Sequence, residues 1–436
     1  MNDRLLKDIK TKILVVIGGG AAGFFCAINA ARLQPMLQVI LVEKTSKLLS
    51  KVRVSGGGRC NVTHACFEIS NLVKKYPRGQ KFLKKSFHLF NTTQCVNWFR
   101  ERGVVLKTEA DGRMFSITDS SQTIIDCLLR EANKYGVTIL MNREVKEVKS
   151  HPATGGTKVK NEDCFSLLFG NGETMEVDYL CIACGGYPKS SMYDWLLAMG
   201  HTIQQPVPSL FTFNMPGNSI QALMGVSVEK ATVKVVGTKL EDEGPLLITH
   251  WGLSGPAILK LSAWGARDLA EKNYHFTILV NWLPQFNEQL LRESWQSIRT
   301  QHAAQKTGNR NPFGLPSRLW VYLLNQSGIN EDSRWADMPA KEQNKLIKNL
   351  VAQEFEVKGK TTFKEEFVTC GGINLPEIDP QTMQSKMIPH LYFAGEIMDV
   401  DGVTGGFNFQ HAWTSGWIAA NDIANDVRHQ FQNISA

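Results

Sequence analysis

Residues 13–23 read Ile13-Leu14-Val15-Val16-Ile17-Gly18-Gly19-Gly20-Ala21-Ala22-Gly23, and Glu43 follows twenty residues after Gly23. An apolar strand, a glycine turn and a helix start come in the order that cradles a dinucleotide pyrophosphate. Gly18 makes the turn, Gly20 lets the backbone approach the phosphates, and Gly23 lets the helix pack on the strand. Ala21 and Ala22 open the helix, whose free N–H groups attract an anionic diphosphate. A second apolar run, 39–42, ends at Glu43 and Lys44, where the Glu43 carboxylate can accept ribose hydroxyls. A plain glycine-rich turn would account for the glycines but not for the placement of Glu43.

The far end of the chain narrows the choice of dinucleotide. Leu391-Tyr392-Phe393-Ala394-Gly395-Glu396 reads as a short buried strand meeting a turn, followed by Asp399, Asp401 and Gly402. Gly405-Gly406-Phe407-Asn408-Phe409-Gln410 then opens a final helical stretch. A C-terminal strand, glycine turn and helix returning to an N-terminal nucleotide site suit non-covalent FAD. The last helix can aim its N-terminus at the flavin edge that gathers negative charge on reduction. No second GxGxxG follows a strand, so NAD(P)H is expected as a transient electron donor without its own domain.

At 436 residues the chain has room for two or three domains. Nine scattered cysteines suit a reducing compartment, with the cytoplasm as default. The uncharged run from Ile13 to Ala31 imitates a membrane span, but its glycines and Asn29 favour strand, turn and helix, so no membrane is expected. No His/Cys cluster has zinc spacing, so no metal is expected. Charge is uneven: residues 44–107 carry 14 Lys or Arg and two Glu, a balance of +12 against +7 for the whole chain. Lys74, Lys75, Arg78, Lys81, Lys84 and Lys85 crowd together with Tyr76, Phe82 and Phe87. Cations interleaved with aromatics are a footprint for nucleic acid, although a solvated basic helix face gives the same pattern.

The expected organisation is α/β. A Rossmann-like first segment spans 1–206, with helices over 80–102 and Ser121 to Tyr135 and strands at 137–141, 144–149, 164–169 and 174–182. Gly155-Gly156 and Asn171-Gly172 mark turns. A β-barrel-like insert covers 207–283, with β-like runs at 210–214, 227–236 and 275–280. A helical subdomain follows at 284–353, with helices expected over 285–305, 316–326 and 340–353. Residues 354–363 return to the β insert, and 364–436 complete the first domain.

The most distinctive local string is Lys51-Val52-Arg53-Val54-Ser55-Gly56-Gly57-Gly58-Arg59-Cys60-Asn61-Val62-Thr63. Successive glycines let backbone pass close to a flat ring and can form an anion nest. Arg59 adds a cation, and Asn61 and Thr63 add neutral groups. Together with Asp111–Phe115, Thr249–Leu259, Thr369–Ile373 and the two nucleotide strings, this string resembles the BaiN/RdsA-type FAD-dependent flavoproteins along nearly the whole chain. The sequence departs from that family's pattern at Ser116, Cys184 and Phe407.

The resemblance implies a two-segment FAD domain with an inserted β-barrel-like domain and helical subdomain. It implies cofactor contacts from the strings above, including Lys51, Ser55, Gly56, Gly57 and Arg59, and from Val145, Cys184, Gly185, Gly186, Gly395, Glu396, Gly405, Gly406, Phe407 and Asn408. It implies flavin redox chemistry, assigned in the family to uridine reduction in ribosomal RNA, bile-acid ring reduction and amine oxidation. Uridine in 23S ribosomal RNA is the specific expectation here. A small-molecule substrate and a non-catalytic RNA-binding protein are the alternatives.

Cys60 is the candidate catalytic acid. Arg59 and the glycine N–H groups are expected to lower its thiol pKa, and it would protonate one carbon while hydride reaches the other. A packed, inert cysteine is the plainer reading. Cys181 and Cys184 form a CxxC that reads as core filling on a strand. Arg113, His250 and Ser254 are substrate candidates, the last two beside a helix start at Pro256; His250 also suits a purely structural turn.

Overall fold

The computed structural model describes residues 11–151, 164–361 and 368–435. The polar lead-in, the Gly155-Gly156 turn and the expected return point at 363/364 lie outside the described residues. Contacts divide the chain into two compact units, the first drawn from 1–207 and 364–436, the second from 208–363.

The first unit is built on a five-stranded parallel sheet. Its order is Leu391–Phe393, Tyr179–Ile182, Ile13–Ile17, Gln38–Val42, Thr138–Leu140. Leu14, Val15 and Val16 are fully buried, as expected for a strand covered on both faces. From Ile13–Ile17 the chain moves to a neighbour on one side and later to a neighbour on the other. The carboxyl end of that central strand is therefore the switch point, where open α/β sheets bind ligands.

The helix Ala21–Leu33 crosses the long C-terminal helix Phe407–Ser435 closely. A Cβ at Gly416 would lie 2.5 Å from the Ala22 carbonyl oxygen, so glycine permits the crossing. Phe25 fills the seam, with ring centroids 4.4 Å from Trp98 and 5.2 Å from Trp413. Asn29 is buried but satisfied: it accepts from Trp98 Nε1 at 3.0 Å and donates to the Phe25 carbonyl at 2.7 Å. Among the described residues no helix is long and apolar enough to cross a membrane.

The single helix expected over 80–102 is two helices, Gln80–Phe87 and Thr92–Arg100. Asn91 breaks them apart. Its side chain accepts from Thr93 N at 2.8 Å, and Gln94 Oε1 accepts from Asn91 N at 3.0 Å, a capping box that starts the second helix. The apolar stripe runs through both helices and conceals the break.

The second unit holds a seven-stranded antiparallel sheet. The order is Gln353–Lys358, His275–Asn281, Ser227–Val235, Glu241–Ile248, Gly252–Ser254, Thr212–Asn214, Lys360–Thr361. Gly359 alone separates the two edge strands in sequence, so the sheet must curl until its edges approach, which is barrel-like. The helices Glu288–Gln301, Ser317–Ser327 and Ala340–Val351 share one core with this sheet. Trp282 Nε1 donates to Gln353 Oε1 at 2.7 Å, and Trp320 Nε1 donates to the Thr307 carbonyl at 2.8 Å. These two indole rings keep their polar edges satisfied, whereas Nε1 of Trp295 and Trp335 in the same core has no acceptor among the described residues.

Candidate functional site

The three glycines of the first turn do different work. Gly18 has φ +116°, and a Cβ there would lie 2.4 Å from the Ala183 carbonyl oxygen. A Cβ at Gly23 would lie 1.9 Å from the Gly18 carbonyl oxygen. Both are glycine because the protein itself leaves no room. Gly20 is half-buried, yet a Cβ there meets nothing within 4 Å. That open place lies at the N-terminus of Ala21–Leu33, where the first N–H groups have no intrahelical acceptor. The residues present therefore fit the diphosphate of FAD.

Glu43 does more than mark the ribose end. Its Oε2 accepts from Gly19 N at 2.9 Å, and its Oε1 accepts from Thr45 N and Oγ1, both at 2.9 Å. The carboxylate braces the turn and keeps lone pairs for further donors. Lys44 is exposed, with its ammonium 5.7 Å from the Tyr187 ring centroid. Val145 is half-buried between Glu144 and Lys146, which with Lys44 line a cavity of about 340 Å³.

The second glycine string leaves helical geometry at Ser55, and Gly56, Gly57, Gly58 and Cys60 are all left-handed. A Cβ at Gly56 would strike the Phe115 ring at 2.8 Å, whereas Gly57 and Gly58 face open space. Gly185 is half-buried and open in the same way. A Cβ at Gly186 would lie 2.5 Å from Thr369 Oγ1.

The C-terminal string closes on these residues. In the orientation that satisfies both ends, the Asn61 amide donates to the Thr63 carbonyl at 2.9 Å and accepts from Gly406 N at 3.0 Å. Thr63 Oγ1 donates to Gln410 Oε1 at 2.6 Å, out of solvent. Asn408 clamps Gly402, accepting from its N–H at 2.8 Å and donating to its carbonyl at 2.9 Å. Lys51 Nζ lies 2.6 Å from Glu396 Oε2, and Gly395 N donates to Ser415 Oγ at 2.8 Å. Gly405 packs on the ring of Phe407, which stacks on His64 with centroids 4.7 Å apart.

Three arginines are committed to acids. Arg59 Nη1 lies 2.6 Å from Glu109 Oε1 and 3.5 Å from Asp119 Oδ1, so it is not a free cation for the cofactor. Arg113 pairs with Asp111 at 2.7 Å and Glu109 at 3.2 Å. Arg78 grips the fully buried Asp401 through two nitrogens, which removes it from the cations expected to face nucleic acid. By contrast Lys74, Lys75, Lys81, Lys84 and Lys85 are exposed. No ion pair to another described residue engages these five. Lys81, Lys84 and Lys85 share the outer face of Gln80–Phe87, whose inner face buries Phe82, Leu83 and Phe87.

The expected acidified thiol at Cys60 is reversed. Burial pushes the thiol from its ordinary 9.0 up to about 12, against a weaker opposing hydrogen bond with Ser55. Cys60 has no exposed surface, so it is a neutral thiol enclosed by protein. Burial likewise raises Cys184 to about 11, with Tyr187 Oη donating to its sulfur at 3.1 Å. Cys181 is buried and interacts with Cys26, so the CxxC is not a paired dithiol.

His250 and Ser254 lie in the second unit. His250 is exposed in the turn between Glu241–Ile248 and Gly252–Ser254, and Ser254 ends the latter strand, one residue before the Gly255 N-cap of the helix Pro256–Trp264. Among the described residues no cluster of His, Cys, Asp or Glu could hold a metal. Sequence reading missed His64 and His411. His411 is buried beside the site, its Nε2 3.2 Å from the Gly395 carbonyl, and nothing in its spacing singles it out.

The HI0933-like protein Rossmann domain model matches residues 12–422. A ribosomal RNA dihydrouridine synthase of Escherichia coli K12 is 32% identical over 94% of this chain and 97% of its own. A 3-dehydro-bile acid delta(4,6)-reductase of Clostridium scindens is 25% identical over 94% and 98%. Among solved structures, the 3-ketosteroid delta1-dehydrogenase from Sterolibacterium denitrificans superposes with TM-score 0.51 at 13% identity, covering 95% of this chain and 100% of that one, a likeness of fold. The chain belongs to the HI0933-like Rossmann-domain family and is an FAD-dependent oxidoreductase.

Proposed function

We propose that this protein reduces a uridine of 23S ribosomal RNA to dihydrouridine in the cytoplasm, with NAD(P)H as electron source. The observation that carries the reading is the set of five exposed lysines, without an ion pair among the described residues, on the unit that bears the dinucleotide cradle. A small-molecule oxidoreductase has no need of them, whereas a phosphate backbone does. The ribosomal RNA dihydrouridine synthase name of the 32%-identical relative supports ribosomal RNA as the substrate class.

FAD, when bound, supplies hydride for one carbon of the uracil C5=C6 bond, and a proton must reach the other. The target base has to leave its stack to enter the site. Cys60 fits this scheme as a neutral acid, and the protein has to open around it before a base can touch it. Cys60→Ala separates two outcomes. Lost product with NAD(P)H oxidation retained assigns the proton to Cys60, and retained product leaves the proton to solvent.

The decisive measurement is mass spectrometry of large-subunit RNA from a deletion strain, with and without the gene restored. A dihydrouridine that vanishes and returns supports the reading; an unchanged map refutes it. The second reading, reduction of a small cyclic enone, is favoured by the bile-acid reductase relative. Anaerobic flavin bleaching by NAD(P)H, followed by reoxidation with a steroid enone but not with RNA, would establish it.

A further inference from the structure

We propose that Phe67 is a stacking platform for a base of single-stranded RNA, mounted at the edge of the lysine face. The inference rests on the reading of the substrate as RNA and adds the residue that holds the strand.

Phe67 leaves half of its surface, 50%, exposed on a segment that is otherwise tied down. Thr92 Oγ1 donates to the Cys66 carbonyl at 3.2 Å, which fixes the segment to the start of the helix that follows the lysine helix. Ala65 N donates to the Gly112 carbonyl at 2.8 Å. The Lys75 ammonium bears on the same segment: burial raises the Cys66 thiol, and Lys75 pulls it back down. The lysine-bearing turn is itself rigidly mounted, with Val403 N donating to the Lys75 carbonyl at 2.9 Å and Tyr76 Oη to the Phe407 carbonyl at 2.7 Å.

A lone exposed aromatic needs no explanation. Phe67 is different because the short helix Ile69–Leu72, which starts two residues after it, packs on both cation-bearing elements, Val73–Lys75 and Gln80–Phe87. Single-stranded nucleic acid is held by this combination, with cations tracking the backbone and rings taking the bases. The segment also leads inward. His64, three residues before Phe67, stacks on Phe407 at an interplanar angle of 21°, beside the glycines of the C-terminal string. A base resting on Phe67 holds the strand while a neighbouring nucleotide swings toward the site.

The test is fluorescence anisotropy of the holoprotein with a labelled single-stranded oligoribonucleotide and with the same strand in a duplex. Phe67→Ala should weaken single-strand binding roughly 5- to 150-fold, equivalent to about 1–3 kcal/mol. Duplex binding, salt slope and flavin absorbance should stay unchanged, because no phosphate contact is lost. Phe67→Trp should restore affinity, with its indole fluorescence quenched by the strand. Wild-type and Phe67→Ala proteins binding the single strand equally would overturn the platform and leave the RNA reading standing. Equal losses for single strand and duplex would overturn the stacking. A wild-type protein that binds neither RNA would overturn both readings together.

Discussion

The Lys51 ammonium lies 2.6 Å from Glu396 Oε2 across 345 positions of sequence. The other oxygen of the same carboxylate accepts from Thr369 N at 2.8 Å. One side chain therefore ties the second glycine string to two parts of the C-terminal segment. Lys51 keeps 45% of its side chain exposed, so the pair contributes about 1 kcal/mol or less. Its value is positional: it holds together strings that the inserted unit separates in sequence.

Gly20→Val should abolish FAD binding and leave the fold intact, because its Cβ enters open space at the helix start. Gly23→Val should unfold the nucleotide unit, since even its Cβ collides with the Gly18 carbonyl. Bound-flavin absorbance read beside far-UV circular dichroism distinguishes the two. Colourless but folded Gly23→Val protein would contradict this assignment of roles.

Arg78→Ala strands the fully buried Asp401 carboxylate without its guanidinium. The cost should be roughly 3–5 kcal/mol, against about 1 kcal/mol or less for Lys51→Ala. Denaturant unfolding of both variants checks the ranking.

Cys60 should resist alkylation in the native protein at pH 7–8, because burial holds the thiol near 12 and excludes reagent. Cys66 is partly exposed and should react sooner, although burial raises its thiol too. Peptide mapping after timed iodoacetamide treatment reads the order. The sign for stability follows: the neutral thiol of Cys60 supports the fold fully below pH 9, and that support is lost as pH rises toward about 12.

Burial lowers His411 from 6.5 to about 4, against the pull of the Gly395 carbonyl. The folded state therefore favours neutral imidazole. Its contribution is whole above pH 6.5 and is lost as pH falls toward 4, up to about 3 kcal/mol. His411→Gln keeps a donor for the carbonyl and should flatten this part of the stability–pH curve. An unchanged curve would remove His411 as its cause.

Reversing Lys81, Lys84 and Lys85 to Glu should weaken RNA binding and flatten its salt dependence, with melting temperature and flavin spectrum unchanged. These side chains are exposed and make no ion pair with another described residue, so stability has little to lose.

The nucleotide cradle was legible in the sequence because its demands are local and steric. A positive φ at Gly18 or a Cβ colliding at Gly23 is met by glycine alone, so the spacing carries the geometry. The Asn91 break was legible too, as an Asn-x-x-Gln capping pattern, but the continuous apolar stripe outweighed it. What tertiary structure alone decided is the state of each charge and thiol. Arg59, Arg78 and Arg113 look like the five exposed lysines in a composition count. The partner of Arg78, Asp401, lies 323 positions away, and nothing local announces it. The direction of the Cys60 shift was misread for the same reason. Nearby Arg59 and glycine N–H groups suggest a lowered pKa, but Arg59 is spent on Glu109 and burial dominates. Desolvation and ion pairing depend on which distant segments pack together, and that is fixed only when the chain has folded.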